Sequence, residues 1–157
     1  MPETIIVGAG PYGLSLAAHL RAQHVSFEIV GQPMATWRQH MPRNMLVKSE
    51  PFASILSDPE GALTLEKFCE LRGASYEPIG TPVPLYKFLS YADWFQQEAK
   101  LDIQDRTLVR LSHTAGGFDL AFADGTRASA RRVVLATGLV PFRWSPPVLA
   151  GQPAELA

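Results

Sequence analysis

Cysteine is nearly absent from this chain: Cys69 stands alone among 157 residues, so no internal disulfide can form. Charge is sparse too. Charged residues are 18% of the chain, the net charge is −1 and no basic block occurs, which argues against a nucleic-acid surface. No apolar run approaches the roughly 20 residues that span a membrane. The first strand pattern begins by Thr4, leaving no room for a signal peptide, so a cytoplasmic location is the expectation. His19, His24, His40 and His113 show no ligand spacing and have no cysteine partners, so no metal site is expected. There is no Gly-x-Ser-x-Gly elbow, no paired-carboxylate motif and no second Gly-x-Gly-x-x-Gly.

What is present suits a globular domain. Apolar residues are 46% of a chain long enough to bury one core. Its beginning, Thr4-Ile5-Ile6-Val7-Gly8-Ala9-Gly10-Pro11-Tyr12-Gly13, runs from an apolar strand through a glycine turn into an amphipathic pattern. A helix start offers unpaired N–H groups and a partial positive charge to a diphosphate. Gly8 is expected to make the turn, Gly10 to let backbone approach phosphate, and Gly13 to let the helix pack on the strand. Pro11 suits the first helical position, and Gly13, Leu16, Ala17 and Leu20 share one helical face. A structural turn without a ligand is the alternative.

Val25 to Val30 reads as the second strand, closing a βαβ unit. An acidic residue normally follows such a strand and holds a ribose hydroxyl. Here Gly31 and Gln32 stand in that place, and Glu28 lies three positions too early, inside the strand. Gln32 or backbone is left to serve the ribose. Residues 31–62 show little periodicity yet carry Trp37, Arg38, His40, Met41, Met45, Lys48 and Phe52. So long a loop with that cargo is expected to be ordered, over a ligand or as a lid on its own core.

Leu63 to Arg72 predicts a short helix, with Thr64 as N-cap and Gly73 just past its end. Cys69 falls on its apolar pattern and is expected to be buried. Residues 78–84 read as an extended connector. Leu85, Phe88, Leu89, Ala92, Phe95 and Ala99 define a helix over 85–99, with Tyr86, Tyr91 and Trp94 read as core aromatics. The period then changes to two. Thr107 to Ser112, Phe118 to Phe122 and Thr126 to Ala130 predict a meander, turned at Gly116-Gly117 and Asp124-Gly125. Val133 to Ala136 predicts a parallel strand covered on both faces, ending at Thr137-Gly138. Glycine there admits a ligand to the carboxyl edge, or simply makes a turn. Residues 141–157 are proline-rich and read as a linker. The fold expected is α/β: a Rossmann-like domain over 1–140 with a parallel sheet and a small antiparallel meander at 107–130.

Three separated stretches, Gly8 to Gly13, Trp37-Arg38 and Val133 to Gly138, together resemble the two-dinucleotide-binding flavoproteins. The likeness is to flavin monooxygenases and lysine/ornithine N-hydroxylases, over nearly the whole chain. That resemblance implies that the first glycine motif holds the FAD diphosphate and that Trp37 walls the flavin. It makes Arg38 or Lys48 a cationic neighbour, although either also reads as a surface charge. It sets Thr137-Gly138 where FAD and NADPH domains meet, and Val109 backbone against adenine. Met45 to Pro59 is similar to an N-hydroxylase segment, except that Leu46 and Phe52 stand where that family has Gln and Lys. The function implied is the FAD-binding portion of an NAD(P)H-dependent flavin oxidoreductase or monooxygenase, incomplete for turnover alone. NADPH and a small-molecule substrate belong to the complete protein, whose NADPH domain is missing here, and exposed apolar surface is expected to drive self-association. A non-catalytic remnant and an NAD-binding dehydrogenase domain are the alternatives.

Overall fold

The computed structural model describes residues 2–149. In chain order it runs β1 (Thr4–Val7), α1 (Pro11–Ala22), β2 (Phe27–Val30), α2 (Ala35–Gln39), β3 (Leu46–Val47), α3 (Leu65–Leu71) and β4 (Val83–Pro84). It continues with α4 (Leu85–Glu98), β5 (Ile103–Gln104), β6 (Leu108–Thr114), β7 (Gly117–Phe122), β8 (Arg127–Ala130) and β9 (Arg132–Leu135). The fold is α/β, with a parallel sheet β5-β2-β1-β9 and an antiparallel meander β6-β7-β8. Counted in the order they join the parallel sheet, its strands read 3-2-1-4, the arrangement of a doubly wound dinucleotide fold.

Alternation along β1 divides the core. Ile6 and Ile29 face the helices, joining Leu14, Met34, Phe68, Tyr91 and Phe95. Ile5, Val7 and Val30 face the meander, packing on Leu120, Phe122 and Ala130. The meander thus replaces a crossover helix between β5 and β9 and covers the second face.

The face that α1 buries consists of Gly13, Leu14, Ala17 and Ala18, and Leu16 and Leu20 are only partly buried at its flank. The helix is therefore turned from the expected face so that its smallest residues meet the sheet, which brings the backbones close. β2 begins two residues later than the pattern suggested. His24 takes a left-handed conformation (φ 57°), and the Val25 N–H returns to the Leu20 carbonyl, closing the helix end instead of starting a strand.

Segment 31–62 is irregular but not bare, since it holds α2, β3 and a 3-10 turn at Pro51–Ala53. The connector before α4 supplies β4, which pairs antiparallel with β3. Thr64 does cap α3, its hydroxyl accepting from the Lys67 N–H at 3.1 Å, and Gly73 follows at φ 60°. Cys69 is buried, as its pattern requires. On α4, Tyr91 and Trp94 are core, but Tyr86 is 70% exposed because it lies away from the Leu85–Phe88–Ala92–Phe95 face. The Tyr91 hydroxyl accepts from the Leu56 N–H at 2.9 Å and donates to the Leu63 carbonyl at 2.7 Å, tying the long loop to α4. Burial pushes that phenol well above its ordinary pKa.

β9 departs from expectation. It is an edge strand, with Val134 36% and Leu135 58% exposed, so its apolar run is not covered on both faces. Among the described residues, Leu139, Phe142, Trp144 and Val148 beyond it are exposed as well. A 3-10 turn at Val140–Phe142 leads into the 141–157 segment, a second lies at Pro147–Leu149, and residues 150–157 lie outside the described residues.

Candidate functional site

Strand order reverses between β1 and β9, and a crevice at the carboxyl ends of such strands is where open α/β sheets take ligands. The glycine turn occupies that point. Gly8 has φ 114°, and a Cβ on it would sit 2.2 Å from the Ala136 carbonyl oxygen at the end of β9. Its N–H donates to the Val30 carbonyl at 2.8 Å, while the Ala136 N–H donates to the Val7 carbonyl at 2.7 Å. A Cβ on Gly13 would lie 1.9 Å from the Gly8 carbonyl oxygen, so α1 starts in contact with the turn. Both glycines are demanded by the protein's own atoms.

Gly10 is different. It has ordinary extended geometry (φ −82°, ψ −172°), and a Cβ on it would meet nothing within 4 Å. No side chain caps α1, and no acidic residue occupies its first turn. Pro11 takes the first helical position. Among the described residues, the N–H groups of Gly10, Tyr12 and Gly13 find no acceptor, the first helical bond being Leu14 N–H to Gly10 carbonyl at 2.9 Å. Tyr12 is 87% exposed beside them. The result is a helix N-terminus with free donors, no competing carboxylate and open space at Gly10.

The end of β2 flanks this turn. Gly31 has φ 127°, and a Cβ there would stand 3.4 Å from the Ala9 nitrogen and the Gly8 Cα. An acid with its own Cβ would be strained at this position. Gln32 is exposed, and its side-chain carbonyl accepts from the Gln39 amide at 2.6 Å. Glu28 points elsewhere, pairing with Arg106 at 3.3 Å.

Across the crevice lies α2. The Met34 N–H donates to the Ala9 carbonyl at 3.0 Å, with Met34 buried in a left-handed conformation (φ 54°). Trp37 packs on Phe88 with ring centroids 4.8 Å apart, and Arg38 is ion-paired with Asp93 of α4. Arg38 is thus engaged in holding α2 to α4, whereas Lys48 is exposed. The Thr36 hydroxyl stands 3.9 Å from where a Gly138 Cβ would be, and Gly138 has φ 70°. Gly8 through Gly13, Gly31-Gln32, α2 and the Thr137-Gly138 turn therefore gather at one end of the parallel sheet.

Val109 is set apart. It lies on the meander, 63% exposed, at a bulge between Leu108 and Arg110. Residues without a sequence signal also shape the crevice: Met34, Thr36 and Asp93. Asp93 is 55 positions from the arginine it pairs with, and nothing local to Met34 announces a left-handed residue. A cavity of about 590 Å³ lies at the opposite end of β2, walled by Arg21, His24, Glu28, Asp102 and Arg106. It mixes both signs of charge and faces the end of α1 rather than its start, so it does not suit a diphosphate. Among the described residues no group of three or more His, Cys, Asp or Glu is placed to hold a metal, and no helix is long and apolar enough to cross a membrane.

No protein-family model and no curated protein matches the chain. Solved structures do. A bacillithiol disulfide reductase from Staphylococcus aureus matches with a TM-score of 0.71 and 17% identity, over 87% of this chain and 38% of that one. A flavin-containing monooxygenase from Stenotrophomonas maltophilia matches with a TM-score of 0.68 and 23% identity, over 87% and 38%. A steroid monooxygenase bound to NADP gives 0.68 and 21%, over 87% and 26%. The chain thus spans about a quarter to two fifths of the length of these proteins. Reductases and monooxygenases share the likeness, so what it establishes is architecture: over most of its length the chain has the α/β fold found in these proteins, a flavin-containing monooxygenase among them.

Proposed function

We propose that this chain is the FAD-binding portion of an NAD(P)H-dependent flavin oxidoreductase, with the FAD diphosphate at the start of α1. One observation carries the reading. Gly10 has no conformational or steric need to be glycine inside the protein, yet it lies among unpaired helix N–H groups. Its missing side chain makes sense as room for an anion drawn to those donors. The free donors and the open space fit a diphosphate, and so does the absence of an acid in the first turn.

Residues 1–140 then form the cofactor domain, with 141–157 leading onward to an NADPH-binding domain. The backbone N–H groups of Tyr12 and Gly13 hold phosphate oxygens, and the Gln32–Gln39 amide pair serves a ribose hydroxyl without a negative charge. Val109 backbone borders the adenine. Trp37, fixed by Phe88, and the Thr137-Gly138 turn flank the isoalloxazine and keep water from one side of it. Arg38, paired with Asp93 of α4, holds α2 and with it Trp37 in place beside that ring. Bound flavin supplies the electron-carrying chemistry, and protein supplies placement and electrostatics. Leu46 and Phe52 present apolar side chains, 53% and 56% exposed, where N-hydroxylases have polar ones, so an amine hydroxylase is the less favoured member of the class. The complete protein draws on NADPH and a small-molecule substrate.

Thermal melting of the purified chain with FAD or NAD⁺ tests this. A saturable rise with FAD and none with NAD⁺ is expected, together with flavin release on denaturation. A rise with NAD⁺ alone would make the chain a nicotinamide-binding domain, and no rise with either would make it a non-binding remnant. Rapid flavin reduction by NADPH in this chain alone would contradict the view that a further domain is needed.

A further inference from the structure

The meander face turned away from the parallel sheet carries a row of residues that crosses all three of its strands. Arg110, Ala121 and Arg127 lie side by side on β6, β7 and β8, and Ser112, Asp119 and Ser129 form the adjacent row. Their alternate neighbours Leu111, Leu120 and Ala128 face the core, so all six point outward. Two strand spacings separate the arginine Cα atoms by about 10 Å. Between them the floor is a single methyl group. These residues line a trough of about 440 Å³.

The charges in this trough are poorly matched. Among the described residues, neither Arg110 nor Arg127 has an ion pair or a side-chain hydrogen bond, unlike Arg38, Arg106 and Arg132. The one carboxylate, Asp119, accepts from the Ser129 hydroxyl at 2.7 Å and bridges to neither arginine. Two guanidiniums therefore flank an empty floor on one sheet face, with a single acid beside them. Each guanidinium is a planar fork suited to two oxygens of one anion. A carboxylate has oxygens enough for one fork, whereas a tetrahedral dianion can serve two forks from opposite sides. Ser112 adds a hydroxyl donor at the rim.

We propose that this trough binds a phosphate dianion, as inorganic phosphate or as the terminal group of a phosphate monoester, held between Arg110 and Arg127 over Ala121. The site lies on the outer face of the meander and is independent of the flavin reading.

The test is a residue-resolved NMR titration of the full chain with inorganic phosphate and with glycerol phosphate, against chloride at matched ionic strength. The arginine Nε–H signals of Arg110 and Arg127 and the Ala121 amide should move together and saturate with one midpoint. Movement with both ligands assigns a monoester site, and movement with inorganic phosphate alone assigns a free-phosphate site. Arg110→Gln and Arg127→Gln should each weaken the midpoint about tenfold or more, as loss of a charge-assisted contact requires. Arg43→Gln should not. Signals that do not move, that move equally with chloride, or that still move in the Arg110→Gln/Arg127→Gln chain would overturn the proposal. Circular dichroism of each variant confirms that the meander is intact.

Discussion

At the scale of single residues, the glycine turn separates into positions the fold needs and one it does not. A Cβ at Gly8 or Gly13 would lie about 2 Å from a carbonyl oxygen, and Gly8 also holds a positive φ. Gly8→Ala and Gly13→Ala should each lose about 3 kcal/mol or more in urea unfolding, combining strain with overpacking. Gly10→Ala should stay within about 1 kcal/mol of the parent, since only its capping preference changes. Tyr91 gives a second case. Its hydroxyl satisfies Leu56 and Leu63 inside the core, so Tyr91→Phe should cost about 1–3 kcal/mol by leaving them unpaired. Burial raises the phenol pKa from its ordinary 10.0, so the folded chain keeps a proton that the unfolded chain gives up. Stability from this group is therefore intact below pH 10 and falls as pH rises above it. Unfolding followed from pH 8 to 11 should show that decline, and Tyr91→Phe should lessen it, leaving the smaller part that comes from Tyr76, whose phenol pKa burial also raises.

At the scale of elements, what could be read from sequence was what local chemistry decides. Thr64 caps α3 because its hydroxyl reaches an N–H three residues on, and Asp124-Gly125 turns the meander because glycine accepts φ 82° there. Thr64→Ala should lower stability by about 1 kcal/mol in thermal or urea melts, with helix content reduced at α3. Elsewhere partners distant in sequence decided the outcome. The face that α1 buries was set by how closely its small residues let it approach the sheet. Tyr86 was turned outward because α4 had its core face filled by Leu85, Phe88, Tyr91 and Phe95. Apolar content alone placed β9 in the interior, and edge position left Val134 and Leu135 uncovered. In the candidate site, the glycine turn and the Thr137-Gly138 end were legible as motifs. The supports of α2 were not, because Asp93 and Phe88 meet it only through the tertiary fold.

At the scale of the whole molecule, the edge strand β9 and the segment after it expose Val134, Leu135, Leu139, Phe142, Trp144 and Val148, each 36% or more. An uncovered strand edge flanked by apolar side chains is a template for association. The isolated chain should show concentration-dependent self-association by light scattering. Leu135→Lys should suppress it while leaving the melting midpoint unchanged, because that side chain is mostly in solvent. A monomer at all concentrations would mean the strip is protected. The larger claim is that the start of α1 holds the diphosphate of FAD, and Gly10→Asp tests it most directly. An aspartate at a helix N-cap suits the helix dipole and the free N–H groups, so the fold should be as stable as the parent or more so. The same carboxylate repels a diphosphate and fills its space. Gly10→Asp should leave the melting temperature unchanged or raised with FAD retention lost, and equal FAD retention in variant and parent would mean that the diphosphate is not held there.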